Sequence, residues 1–245
     1  MSIDLEIRKQ DLVNNPTARI AVCLVLDCSP SMGARYWVGG KQIVRQSGSV
    51  PIDELNKGVK HFLASIKKDE IARYAAEISI ITFAGKAKTA LDFQSMDRID
   101  TPTLQIDDKG GTSIGSAVEL ALKLLDKRKK EYGNAGVDYY QPWLVLMTDG
   151  RPTDYTHLEV SKKVQDMVLN KKLTVFPIGV GDDADADVMA VLSKFSPKRN
   201  PLKLKGLNFP EFFEWLGQSV YTISQSMPGE TVQLDFEGIK TWAEL

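Results

Sequence analysis

The stretch "RIAVCLVLDCSPSMG", Arg19 to Gly33, decides the fold. From Ile20 to Leu26 it is apolar without alternation, so an extended strand there has no wet face. Such a strand belongs to a parallel sheet covered by helices on both sides. The run ends in Asp27, followed by hydroxyls at Ser29 and Ser31 and then by Gly33. Taken alone, this is a strand entering a turn with a helix cap. The alternative is one half of a cation site, and segments elsewhere in the chain bear on that choice.

Working outward, short apolar runs alternate with longer helical periodicities. "PIDELNKGVKHFLASIKK", Pro51 to Lys68, spaces Ile52, Leu55, Val59, Phe62, Leu63 and Ile66 along one helical face, with Pro51 at the first turn. "EISIITFAG" is the next strand, and "KAKTALDFQ" pairs with it as an antiparallel neighbour. A second long helix runs from Ser113 and is expected to end at Gly133. Its cluster Lys127 to Lys130 is read as cations complementing the helix dipole. "PWLVLMTDG" is another buried strand, followed by a helix from about His157 to Lys171. The strand "LTVFPIGVG", the helix "DVMAVLSKF", the weak strand "PLKLK" and the helix "PEFFEWLGQSVYTIS" complete the series. The expected fold class is α/β: a doubly wound, mostly parallel sheet with one antiparallel edge strand and helices on both faces. The expected organisation is an N-terminal arm (1–17), one domain (18–226) and a C-terminal tail (227–245) that packs back on the body.

A length of 245 residues suits one large α/β domain, and a net charge of −1 creates no global field for nucleic acid or an anionic membrane. The two cysteines, Cys23 within the first strand and Cys28 just past it, are poorly placed to bridge each other. Neither a signal-peptide core near Met1 nor an apolar run of roughly 18 residues is evident, so a cytoplasmic protein is expected.

Three loops on one edge of such a sheet carry the chemistry. They are Asp27-x-Ser29-x-Ser31, "KGGTSIG" (Lys109 to Gly115) and "MTDGRPTD" (Met147 to Asp154). Together they offer the strand-end carboxylates Asp27 and Asp149 and the hydroxyls of Ser29, Ser31 and Thr112. An all-oxygen set suits a hard cation such as Mg2+, whereas a Ca2+ cage normally brings more carboxylates. Each loop alone is also explained by caps and turns; the matching positions of all three favour the cation site.

These segments resemble the metal-ion-dependent adhesion site of von Willebrand factor A domains, whose D-x-S-x-S, Thr and Asp elements correspond to Asp27, Ser29, Ser31, Thr112 and Asp149. The resemblance implies Mg2+ or Mn2+ on the two serines, with the threonine direct or through water and the aspartates mostly acting through water. It implies a non-enzymatic module that binds a partner's Asp or Glu carboxylate. "TDGRPTD", "IGVGDDAD" and "FFEWLGQSV" are most similar to the bacterial cytosolic tellurium-resistance TerY-like group. That likeness implies a stress-response or phage-defence setting with a kinase or PP2C-type phosphatase as partner. Two departures stand out. An insert at 34–50 separates the serine pair from the Pro51 helix, and its "YWV-GG-KQIV" pattern predicts a hairpin beside the metal. Tyr36, Trp37, Lys41 and Arg45 are therefore candidate partner contacts, unless the hairpin only packs on the rim. The cysteine-rich tail of some TerY proteins is also missing from this sequence.

The sequence also admits two other functions: a metal-independent scaffold binding through the hairpin, and a serine hydrolase using the G-x-S-x-G of Gly111 to Gly115. The hydrolase would need Ser113 as nucleophile and His157 as base, but no buried strand immediately precedes the serine. "DDADADV" lacks the glycine and glutamate of a calcium loop and reads as acids at a helix start.

Overall fold

Strand β1 (Ile20–Asp27) is buried along its whole length, and its residues divide by parity. Ile20, Val22, Leu24 and Leu26 enter one apolar cluster, while Ala21, Cys23 and Val25 enter another on the opposite face. This is the two-faced strand expected from its unbroken apolar run. In the computed structural model, residues 11–15, 17–45 and 50–244 are described, excepting the side chains of Trp37 and Val38.

The remaining strands are β2 (Arg35–Val38), β3 (Lys41–Val44), β4 (Ala76–Phe83), β5 (Ala87–Leu91), β6 (Trp143–Thr148), β7 (Thr174–Gly179), β8 (Leu202–Leu204) and β9 (Ala243–Glu244). The main sheet has the order β5-β4-β1-β6-β7-β8-β9. Its pairs from β4 to β8 are parallel, and β5 is the antiparallel edge strand that the "KAKTALDFQ" segment predicts. A two-residue antiparallel strand, β9, closes the opposite edge on β8, so residues near the C-terminus return to the sheet. Trp242 joins the first apolar cluster there and packs against Phe212 and Trp215.

Helices α1 (Pro51–Lys68) and α6 (Phe209–Ser224) cover one face; α3 (Ile114–Ala135), α4 (Thr156–Leu169) and α5 (Ala186–Ser193) cover the other, and α2 (Ala72–Ala75) is a single turn before β4. In α1, Pro51 opens the first turn with Asp53 and Glu54, and Lys67 and Lys68 close the last, both matching the helix dipole. Its Gly58 allows α6 to approach closely, since a Cβ there would lie 2.5 Å from the Phe213 ring.

Three local expectations are corrected. Helix α3 passes through Gly133 and ends at Gly136, whose φ of 65° supplies the left-handed cap. The Gly136 amide then donates to Gly133 O and the Val137 amide to Tyr132 O, satisfying carbonyls at the helix end. Helix α4 stops at Leu169 because Lys171 adopts the same left-handed cap, with φ 55°, and the Lys172 amide donates to Met167 O. Within "KRKK", Arg128 is no solvated dipole cation. It is buried and forms a forked ion pair with Glu77, Nε to Oε2 at 2.5 Å and Nη2 to Oε1 at 2.7 Å.

The insert forms the expected hairpin, β2 against β3, turning at Gly39 and Gly40 with φ of 55° and 78°. Positive φ at both turn positions matches the right-handed twist of the flanking strands. Residues 46–49 of the insert and 1–10 of the arm lie outside the described residues. Cys23 and Cys28 are both buried and unpaired, and burial pushes each thiol up to about 12.

Candidate metal centre

Parallel β1 lies between β4 and β6, so the chain leaves β1 at the point where strand order switches direction. Loops at the carboxyl ends of such strands diverge and leave a crevice. Asp27 ends β1, and Asp149 follows the last residue of β6. The two carboxylates are therefore neighbours through adjacent parallel strands, although far apart in sequence.

Each side chain has a definite local support. Asp27 Oδ1 accepts the Ser29 amide at 2.7 Å, bending the chain into a single 3-10 turn at Pro30–Met32. Its Oδ2 accepts the Thr148 hydroxyl. The Ser29 and Ser31 hydroxyls lie 3.0 Å apart, and Ser31 Oγ donates to Asp149 Oδ1 at 2.7 Å. Asp149 Oδ2 is buried and has no hydrogen-bond partner among the described residues. Burial pushes Asp27 up to about 6 against the opposing hydrogen bonds of Ser29 and Thr148. Burial first, and the Asp27 charge second, push Asp149 up to about 7.

Thr112 comes from the loop before α3. Its amide donates to Thr153 Oγ1 at 2.8 Å, and the Thr153 amide donates to Thr112 O at 3.0 Å, locking the second and third loops together. Thr112 also packs on Gly150, where a Cβ would stand 3.3 Å from Oγ1. Gly111, with φ 86°, lies against Gly85 of the β4–β5 turn, so both glycines serve one close backbone approach. Asp154 caps the first turn of α3, accepting the Gly115 amide at 3.2 Å and the Ser116 amide at 2.9 Å. Burial alone would raise its carboxyl, but these amides and the Thr156 hydroxyl together hold it below its ordinary value.

Gly115 marks where α3 and α4 meet. A Cβ there would fall 2.3 Å from the His157 amide nitrogen, and backbone cannot rotate away. Gly115→Ala is expected to lower stability by about 2–3 kcal/mol through overpacking. Chemical unfolding checks this, and an unchanged midpoint would contradict the close approach.

Asp27, Ser29, Ser31 and Asp149 thus form one connected group, with Thr112 held beside Asp149 through Gly150. Thr148, Thr153 and Asp154 support this group without standing out in the sequence. All lie in or beside "MTDGRPTD", but their partners in other loops leave no periodic signal. Among the expected partner contacts, Lys41 is exposed, and the Trp37 side chain lies outside the described residues. Tyr36 and Arg45 are held internally. Both bond Asp183 in the loop after β7, and Arg45 Nη2 also reaches Ser31 O at 3.3 Å. Ser113 Oγ donates to Gly85 O, and His157 Nδ1 is paired with Asp154 O. Asp185 caps α5 as the acidic run suggests, accepting the Asp187 and Val188 amides.

Two buried carboxylates with an orphaned oxygen, facing hydroxyls, are a donor set that fits a small hard cation. Among the described residues no three His, Cys, Asp or Glu gather as a metal cluster.

Residues 21–205 match the family described as von Willebrand factor type A domain. The chain belongs to that family. Members act as protein-interaction and adhesion modules. No curated protein matches the sequence. Among solved structures, this von Willebrand factor A domain is similar to the pilus adhesin SpaC of Lactobacillus rhamnosus GG, at 13% identity and a TM-score of 0.62, covering 84% of this chain and 31% of that one. It is similar to the von Willebrand factor domain of the pilus tip protein Mfa5 of Porphyromonas gingivalis, at 12% identity and a TM-score of 0.57, covering 88% and 99%. The conserved hypothetical protein BatB of Bacteroides thetaiotaomicron shares 19% identity at a TM-score of 0.52, covering 84% and 100%. The chain spans about half or less of some of these relatives, 47% of the mussel byssus proximal thread matrix protein 1 being another case. At these identities the likeness is one of fold. Among the described residues no helix of this von Willebrand factor A domain is long and apolar enough to cross a membrane.

Proposed function

We propose that this von Willebrand factor A domain is a divalent-cation-dependent protein-binding module. Its cation, Mg2+ or Mn2+ in preference to Ca2+, would be held by Ser29, Ser31 and Thr112, with Asp27 and Asp149 acting directly or through water. The observation that carries the reading is Asp149 Oδ2, a buried acceptor without a donor, set among hydroxyls and a second buried carboxylate. Leaving such an atom unpaired costs about 1–3 kcal/mol, which a cation would recover.

When bound, the cation supplies Lewis acidity toward an incoming carboxylate oxygen. The chain's own residues do the positioning. Asp27 turns the Ser29 amide inward, Thr148 fixes Asp27, and the Thr112–Thr153 pair fixes the second loop. The neutral hydroxyls of Ser29, Ser31 and Thr112 would hold the ion without quenching its charge, so it could accept a partner's Asp or Glu carboxylate with no covalent bond broken. The reading is non-enzymatic. Two of the structural relatives are a pilus adhesin and a pilus tip protein, which agrees with a role in binding. The TerY-like motifs support a cytoplasmic stress-response or phage-defence setting, with a kinase or PP2C-type phosphatase as the partner.

Thermal unfolding with and without Mg2+ or Mn2+ tests the cation. At 100 times the dissociation constant the wild type gains about 2.7 kcal/mol, a rise of roughly 5–10 °C for a domain of this size. The Asp27→Ala, Ser29→Ala double variant is expected to show no rise. Equal shifts in both proteins would overturn the reading.

A further inference from the structure

Among the described residues, three buried side-chain polar atoms have no hydrogen-bond partner: Asp149 Oδ2, Arg45 Nε and Arg73 Nε. Two of them belong to residues that Ser31 joins at the candidate metal centre, and they are of opposite sense. Asp149 Oδ2 is an acceptor, and Arg45 Nε is a donor. They are linked through one residue, because Arg45 Nη2 reaches Ser31 O at 3.3 Å while Ser31 Oγ donates to Asp149 Oδ1 at 2.7 Å. The Arg45 charge also acts on the Asp149 carboxyl, lowering it against burial.

Arg45 is held in a fixed attitude. Asp183 takes its Nη2, the Tyr36 hydroxyl accepts from the same nitrogen at 3.2 Å, and the guanidinium lies 4.9 Å from the centre of the Tyr36 ring. Tyr36 in turn donates to Asp183 Oδ2 at 3.2 Å. The hairpin insert thus delivers a guanidinium whose outer nitrogen is anchored and whose Nε is buried and unused, while the side chain as a whole is about 20% exposed. A guanidinium with one edge committed still presents a directed donor to an oxyanion.

We infer that Arg45 is a specificity-determining residue of the cation site, its Nε donating to the second oxygen of the partner carboxylate whose first oxygen meets the cation. This rests on the cation-dependent reading above. With cation and carboxylate both bound, each orphan atom would gain a partner, Asp149 Oδ2 from the cation or its water and Arg45 Nε from the carboxylate. Asp183 orients Arg45 in the meantime and competes for it, so that acidic side chains able to bridge cation and guanidinium are preferred over neutral oxygen donors.

The test uses the whole chain, Mn2+ and acetate as the probe carboxylate. Mn2+ binding is followed by electron paramagnetic resonance, and acetate binding to the Mn2+-loaded protein by paramagnetic broadening of its carbon-13 signal. Arg45→Gln is expected to bind Mn2+ as tightly as the wild type or a few-fold tighter, because a nearby positive charge is gone. Its acetate affinity is expected to fall at least tenfold. Asp183→Asn, which frees Arg45 from its internal competitor, is expected to bind acetate more tightly. A purely structural clasp predicts the same loss in both variants, so weakened acetate binding in Asp183→Asn would overturn the inference. Equal acetate affinity in wild type and Arg45→Gln would overturn it too, while leaving the cation site standing. Failure of Mn2+ to bind the wild type would remove both.

Discussion

Glu77→Ala is expected to destabilise the domain by about 3–5 kcal/mol, the range found when one partner of a buried ion pair is removed. Glu77 is the second residue of β4 and lies at the amino end of the sheet, away from the candidate metal centre. Its carboxylate takes the Arg128 fork and the Tyr132 hydroxyl at 2.7 Å, and Arg19 Nε lies 3.4 Å away. Arg19 and Arg128 are both buried. Glu131 accepts Arg128 Nη1, and backbone carbonyls of Thr17, Tyr74 and Asn15 accept from Arg19, but none of these replaces the central charge. Alanine therefore leaves two guanidinium groups in a dry site with one outer carboxylate. Urea unfolding checks the size of the loss. Glu77→Gln keeps the shape and loses the charge, so it separates the ionic contribution from the cavity. A loss under about 1 kcal/mol in Glu77→Ala would show that water reaches the cluster.

The Asp149→Asn variant is expected to lose the cation-induced thermal shift and, without divalent cation, to be more stable than the wild type above neutral pH. The sign follows from the raised carboxyls. Asp27 is pushed up to about 6 and Asp149 up to about 7, both from the ordinary carboxylate value of 3.8. Between these limits the folded chain binds more protons than the unfolded one. Stability of the cation-free wild type therefore falls as pH rises from about 4 to about 7, and the penalty is complete above that. The amide at 149 carries no charge and keeps an acceptor for the Ser31 hydroxyl, so up to about 4 kcal/mol is recovered at pH 8. Added Mg2+ reverses the wild-type trend, since the cation takes the place of the proton and binds better as pH rises. Melting curves from pH 5 to 8, with EDTA or with Mg2+, check both halves. A wild type that gains stability on going from pH 5 to 8 in EDTA would contradict the assignment.

The two-faced β1, the amphipathic α1 and the antiparallel β5 were legible because each leaves a periodic apolar record within its own segment. The boundaries that shifted did so for local reasons without such a record. Gly133 tolerates a helix interior, and Gly136 carries the left-handed turn that ends it. Lys171 takes a left-handed conformation that favours glycine, so no sequence signal marked the end of α4 there. In the candidate site, Asp27, Ser29, Ser31, Thr112 and Asp149 were legible as residue types at the ends of elements. Their supports were not, because Thr148, Thr153, Asp154 and Asp183 are ordinary turn and cap residues until their partners are known.

By itself, then, the sequence determined that strands and helices alternate, that the sheet is mostly parallel, and that oxygen donors cluster after β1 and β6. Those properties follow from local periodicity and from the rule that parallel strands open at their carboxyl ends. Only the tertiary structure decided which charges face each other. It turned Arg128 from a helix-end cation into the partner of a strand glutamate 51 residues away. It also joined Arg45 of the hairpin to Asp183 across 138 residues. Pairing of charges at such separations depends on how elements dock and on what water is excluded, and neither is recorded in any single stretch of the chain.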